Sequence, residues 1–166
     1  MNISTTRLWR GTQKDSETIV AMTRAMLIEM AMYGGDSINI SGEVWEWFSD
    51  EVRRNCTRTD HFHIFSVDIF SHEITGFLSA NLEIPEILFS GRSKLHISAV
   101  YIIPSKRNQG LATNLIQQAL AWGYEMGVNE VKLNVLATNP ARRLYEKLGF
   151  QEREIQLSKS LIQKYP

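Results

Sequence analysis

Apolar residues recur along the chain with two different periods, and each change of period marks an element. Residues 6–10 read as a short first strand. Ile19, Met22, Met26, Leu27 and Met30 follow at helical spacing, with Asp15 or Ser16 as the cap and Gly34-Gly35 as the stop. Ser41 caps a second predicted helix that carries Val44, Trp47, Phe48 and Val52. The middle of the chain turns β-rich. Residues 62–70 and 74–84 form two such runs around the polar turn Ser71-His72-Glu73, the pattern of a hairpin. A loop spans 85–94, and a third run over 95–103 is ended by Pro104. Helical spacing returns at Leu111, Leu115, Ile116, Ala119 and Leu120, with Gly127 just past the end. Residues 131–136 read as a strand. Ala141, Leu144, Tyr145 and Leu148 fit a short helix closed by Gly149, and 150–157 a last strand. The order strand, two helices, three strands, helix, strand, helix, strand is that of a mixed α/β (α+β) domain.

Composition narrows the class. The chain has 166 residues and no internal repeat, low-complexity tract or linker, so one domain over 1–166 is expected. Apolar residues make up 43% and charged residues 22%, as in ordinary globular proteins. Lys+Arg and Asp+Glu balance at 18 each, and no basic run reaches five residues. That argues against nucleic acid or an anionic membrane as partner. No apolar stretch approaches the roughly 18 residues of a membrane span. Residues 1–10 lack the apolar core of a signal peptide. Cys56 is the sole cysteine, which excludes an intrachain disulfide or a Cys-based zinc site and makes a reducing cytoplasm the expected home.

Candidate chemistry concentrates in residues 100–113. A strand ends, a polar loop follows, and a helix begins at Gly110. The N-terminus of a helix offers unpaired N–H groups and a partial positive charge, which suit a phosphate or pyrophosphate. Gly110 lets a ligand approach the backbone, small Ala112 does not obstruct it, and Arg107 adds a cation. The same residues also suit a plain strand-to-helix turn, and spacing alone does not separate the two readings.

The motif Arg107-x-x-Gly110-x-Ala112 resembles the Arg/Gln-x-x-Gly-x-Gly/Ala pattern of the GNAT family of N-acetyltransferases. Tyr101, Ile102 and Pro104 precede it at the family spacing. Arg142 to Phe150, ending Leu-Tyr-Glu-Lys-Leu-Gly-Phe, is similar to the family's second motif. The resemblance implies a central, mostly antiparallel sheet of about six to seven strands flanked by about four helices and splayed at an acetyl-CoA site. It implies acetyl-CoA as cosubstrate, no metal, and a small-molecule or peptide amine as acceptor. Many relatives are dimers, so a homodimer is also an expectation. Backbone groups of Val100 and Ile102, beside Tyr101, would pair with the pantetheine arm. The N–H groups of Arg107, Asn108, Gln109, Gly110, Leu111, Ala112 and Thr113 would hold the pyrophosphate. Asn139 would touch the pantetheine arm, although many relatives carry their Asn where this chain has Thr138. Tyr145 would protonate the leaving thiolate.

Tyr145 also lies on the apolar side of its helix with Leu144 and Leu148, where a core role is the alternative. For the base, residues 96, 98, 100 and 102 share one side of a regular strand. His96 then continues the line of Val100 and Ile102 toward the acceptor, and an imidazole titrates near neutral pH. Histone-acetylating relatives carry Glu at that place. Glu83, Glu29 and water are the alternatives. Met22, Met26 and Met30 read chiefly as core, with the segment 30–35 as a floor for the acceptor. One of Trp45 and Trp47 is a candidate lining residue, and Cys56 reads as half-buried filler. Glu29, Asp36, Glu83 and Glu86 are the acidic groups that would attract a cationic amine. The rival functions are a non-catalytic acyl-CoA-binding module of the same fold and an unrelated nucleotide-binding domain. The second would need a Gly-x-Gly-x-x-Gly or Gly-Lys-Ser/Thr loop, and neither occurs.

Overall fold

The structure is a computed structural model and describes residues 5–33, 42–83, 93–155 and 157. Gly34-Gly35, Asp36, Ser41, Glu86 and most of the loop expected after Glu83 lie outside the described residues. The elements are β1 (Thr6–Arg10), α1 (Ser16–Ala31), α2 (Gly42–Asn55), β2 (His61–Asp68), β3 (Ile74–Glu83), β4 (Lys94–Ile102), α3 (Leu111–Glu125), β5 (Val131–Leu133) and α4 (Arg142–Lys147). The strands form one sheet in sequential order. Pairs β1–β2, β2–β3 and β3–β4 are antiparallel, while β4–β5 is parallel. This is the mixed, mostly antiparallel sheet that was expected.

Each face of the sheet is covered because each strand alternates apolar side chains between two layers. On one face Leu111, Leu115, Ile116 and Ala119 of α3 pack on Phe62, Ile64, Leu78, Ala80, Leu95, Ile97 and Ile102. On the other, Ile19 and Met22 of α1 and Val52 of α2 pack on Phe65, Val67, Phe77 and Ala99. Half-buried Cys56 fills space at the edge of this second core, and burial pushes its thiol pKa up. The β2–β3 turn is held by Asp68, whose carboxylate accepts the N–H groups of Phe70 and Ser71 at 2.9 and 3.1 Å.

Two predicted strands differ. The described residues hold five strands, fewer than expected. Residues 150–155 are not a strand: 151–155 are exposed and find ion pairs instead of a ladder, Arg142 with Glu152 and Arg153 with Glu130. And β5 stops at Leu133 instead of 136, because it pairs with β4 only at Leu95, His96 and Ile97. Past Ile97 the two strands part, and β4 runs on alone on that side to Ile102.

The third difference lies inside β4. Ala80 pairs with Ile97 but Ser79 pairs with Ala99, so Ser98 is an extra, exposed residue, a β-bulge. One inserted residue exchanges the two faces of everything beyond it. Leu95 and Ile97 therefore share the α3 face with Val100 and Ile102, while Ala99 and Tyr101 face α1 and α2. His96, the neighbour of Leu95 and Ile97, also points to the α1/α2 side. The expected line His96–Ser98–Val100–Ile102 on one face does not form.

Candidate active site

The parting of β4 and β5 opens a cavity of about 530 Å³. One wall is the free edge of β4 at Val100, Tyr101 and Ile102. The Ile103 N–H donates to the Thr75 carbonyl of β3 at 3.0 Å. Peptide groups alternate along an extended strand, so the N–H and C=O of Val100 and Ile102 point the other way, into the gap. Gly76 lets β3 and β4 lie close at this point: a Cβ there would meet Ile102 Cδ1 at 2.3 Å and the Tyr101 carbonyl at 2.8 Å.

The second wall is the loop into α3. Asn108 (φ 61°) and Gly110 (φ 79°) are both left-handed, which turns the chain sharply between β4 and the helix. The first bonded N–H of α3 is that of Asn114, to the Gly110 carbonyl at 3.0 Å. The N–H groups of residues 108–113 have no backbone acceptor among the described residues. Such a run of donors at the positive end of a 15-residue helix suits an anion. Nothing lies within 4 Å of a Cβ built on Gly110, so the backbone is open there.

Helix α4 makes the third wall. Asn139 lines the cavity, and its Oδ1 accepts the Ala141 N–H at 2.9 Å in the turn that leads into the helix. Gly149 (φ 88°) ends it, with the Phe150 N–H returning to the Tyr145 carbonyl at 3.0 Å. Tyr145 lines the cavity while its ring packs on the α3-side core. Both readings of this residue thus describe the same position. Burial raises the phenol above its ordinary pKa, so it stays protonated and able to donate.

All the expected binding residues therefore come together except Gln109, which is exposed and off the lining. Three expectations need correction. Arg107 is not a free cation: its guanidinium is engaged fork to fork by Glu29, at 2.7 and 2.6 Å, and its Nε donates to the Ile102 carbonyl at 2.9 Å. Glu29 is not a spare base: its bonds to Arg107 hold the carboxyl below the usual carboxylate range. His96 is off the cavity lining. Its Nδ1 is 3.2 Å from Glu83, which also pairs with Lys132 at 2.6 Å. Burial pushes its pKa down, with Glu83 opposing and Lys132 adding, so the ring is neutral at neutral pH. Neither tryptophan reaches the cavity: Trp45 stands edge-to-face on Phe48 at 5.5 Å, and Trp47 is 64% exposed.

Sequence reasoning missed part of the lining. Met26 of α1, which reads as core, roofs the cavity beside Met30 and Tyr33 of the segment expected to floor the acceptor. Arg143 and Lys147 line it from α4, and neither has an ion pair among the described residues. Their separation by four residues, one helical turn, was a legible signal.

Residues 28–150 match the family model described as the acetyltransferase (GNAT) family. An uncharacterized N-acetyltransferase, YycN, of Bacillus subtilis is 30% identical over 115 residues, 69% of this chain and 70% of that protein. An aminoglycoside N(6')-acetyltransferase type 1 of Acinetobacter haemolyticus is 27% identical over 85 residues, 50% of this chain and 59% of that enzyme. Among solved structures, a predicted acetyltransferase from Clostridium acetobutylicum with acetyl-CoA superposes with a TM-score of 0.70 at 19% identity. That match covers 94% of this chain and 96% of the other. With the model matched over most of its length, the chain belongs to the GNAT family of acetyltransferases.

Proposed function

We propose that the protein transfers an acetyl group from acetyl-CoA to the primary amine of a small molecule or peptide by direct attack. The observation that carries the reading is the splay itself, a free β4 edge that meets a run of unbonded N–H groups in one cavity. An extended pantetheine arm fits the peptide groups of Val100 and the N–H of Ile102, the Ile102 carbonyl being taken by Arg107. The 108–113 backbone suits the pyrophosphate, with Arg143 and Lys147 as uncommitted cations across the gap. The residues present thus fit the cosubstrate.

Acetyl-CoA would supply an activated thioester, so no covalent intermediate on the enzyme is required. The chain's own part is to hold the two reactants together, worth an effective molarity on the order of 10⁵ M when alignment is good. Tyr145 keeps a proton at the α4 wall for the departing sulfur. A positioned acid or base contributes about 10²–10⁴ in rate. His96, neutral and half-buried on the α1/α2 side beside Glu83, is the acceptor of the amine proton, reached through water. Likeness to an aminoglycoside-acetylating enzyme supports a small polyamine-like acceptor. The lone cysteine supports a cytoplasmic location.

Thermal-shift screening with acetyl-CoA, ATP and NAD, followed by thiol release with a panel of amines, tests the assignment. Stabilisation by acetyl-CoA with turnover of at least one amine is the expected result. Stabilisation without turnover on any amine would favour an acyl-CoA-binding module, and no stabilisation would remove the assignment.

A further inference from the structure

We propose that Glu29 is a positioning residue for the cosubstrate site: its carboxylate clamps Arg107 against the end of β4 and so fixes the loop that presents the 108–113 N–H groups. This rests on the acetyl-CoA reading above. Glu29 lies on α1, 78 residues before the loop. It meets Arg107 through both carboxylate oxygens, and the guanidinium's third group bonds the Ile102 carbonyl. A bidentate pair fixes orientation as well as distance. The pair is only partly exposed, at 35% for Arg107 and 24% for Glu29.

The clamp continues beyond the pair. Tyr33 donates its hydroxyl to Glu29 Oε1 at 3.2 Å, and the Tyr33 carbonyl accepts the hydroxyl of Thr138. One chain of contacts, joined through the covalent frame of Tyr33, therefore runs from the end of β4 through the end of α1 to the loop before α4. It links all three sides of the cavity.

Charge placement agrees. Beside the loop, Arg107 is neutralised by Glu29 and Lys106 by Asp68 at 2.9 Å. The N–H groups are free, and the uncommitted cations stand on α4. An anion entering here meets donors already in place. It does not have to draw Arg107 away from its carboxylate. Without Glu29 the long Arg107 side chain regains its rotamers, and the Ile102 carbonyl and the left-handed turn at Asn108 lose their tether.

The rival arrangement has the opposite sign. If Arg107 were itself a phosphate ligand held back by Glu29, removing the carboxylate would tighten binding. The experiment measures KM for acetyl-CoA, kcat and calorimetric affinity for wild type, Glu29→Gln, Arg107→Ala and the double variant. Amide exchange of Lys106, Arg107 and Asn114, the bonded N–H groups at the two ends of the loop, is measured alongside in the ligand-free proteins. Glu29→Gln should raise KM about tenfold, as expected for loss of a charge-assisted bond, with kcat within about twofold. Arg107→Ala should do the same, and the double variant should be no worse than either single. Loop exchange should quicken in all three. Unchanged or lower KM, additive losses, or unchanged loop exchange in Glu29→Gln would each overturn the proposal. Should Glu29→Gln not fold, Glu29→Asp keeps the charge but shortens its reach, and an unchanged KM there overturns it as well. A wild type that does not bind acetyl-CoA would instead remove the functional reading, and the exchange comparison would then decide the clamp by itself.

Discussion

The ring of Tyr145 stands edge-to-face against that of Phe150, centroids 6.0 Å apart, and the Tyr145 carbonyl accepts the Phe150 N–H at 3.0 Å. The residue that lines the cavity with its phenol is thus held by the turn that ends α4. Ring and hydroxyl can be separated experimentally. Tyr145→Phe should keep the ring contact, the fold and acetyl-CoA affinity. It should lower kcat by roughly 10–10³, at or below the usual range for a general acid, because a thiolate leaves fairly readily. The check is kcat at saturating acetyl-CoA with binding measured separately. An unchanged kcat, with chemistry rate-limiting, would reduce Tyr145 to a packing residue.

Gly110→Glu should abolish acetyl-CoA binding while the protein stays folded. The left-handed conformation makes any side chain cost about 1–2 kcal/mol there. Nothing stands within 4 Å of the new Cβ, so no clash adds to that. The carboxylate would project among the free N–H groups and repel phosphate. Calorimetry on the folded variant checks this, and unchanged affinity would rule out the loop as the pyrophosphate site.

His96→Ala should lower the rate more at pH 6.5–7 than at pH 9, where more of the amine is already neutral. Its lowered pKa keeps the imidazole in the accepting form across that window. The comparison is kcat/KM against pH for both proteins. Equal loss at every pH would leave water or Glu83 as the proton acceptor.

His63 makes folding sensitive to acid. It is buried, with Nδ1 2.8 Å from Ser79 Oγ, and its Nε2 has no partner among the described residues. Burial first, then the nearby charges of His61 and Arg10, push its pKa down to about 4. An unfolded histidine titrates near 6.5, so the unfolded chain takes up the proton first. The stabilisation is complete above pH 6.5 and is lost as the pH falls toward 4, by about 3 kcal/mol at most. His96 adds to the slope with the same sign, whereas Asp68, held down to about 2, acts only in stronger acid. Denaturant melts of wild type and His63→Gln at pH 7 and pH 4.5 test this. The variant should lose less stability between the two, and parallel losses would mean that His63 does not carry the effect.

Features that rest on near neighbours in the chain are legible from the order of residues alone. The helical spacing of Leu111, Leu115, Ile116 and Ala119 sets the buried stripe of α3. Gly110 and Gly149 mark the left-handed residues at the start of α3 and the end of α4. The two motifs name Val100, Ile102, the 108–113 loop and Tyr145 as one site, and all of these but Gln109 line one cavity. Features that depend on register and on distant partners emerge only when the elements pack. The bulge at Ser98 arises where β3 and β4 fail to match residue for residue, and no period within β4 announces it. It moves His96 off the face of Val100 and Ile102. The splay depends on how few residues of β5 find a partner, and the missing last strand on whether 150–155 meet a ladder or solvent. Arg107 looks like a free cation in sequence because the carboxylate that claims it lies 78 residues away, on a helix whose docking no local pattern encodes.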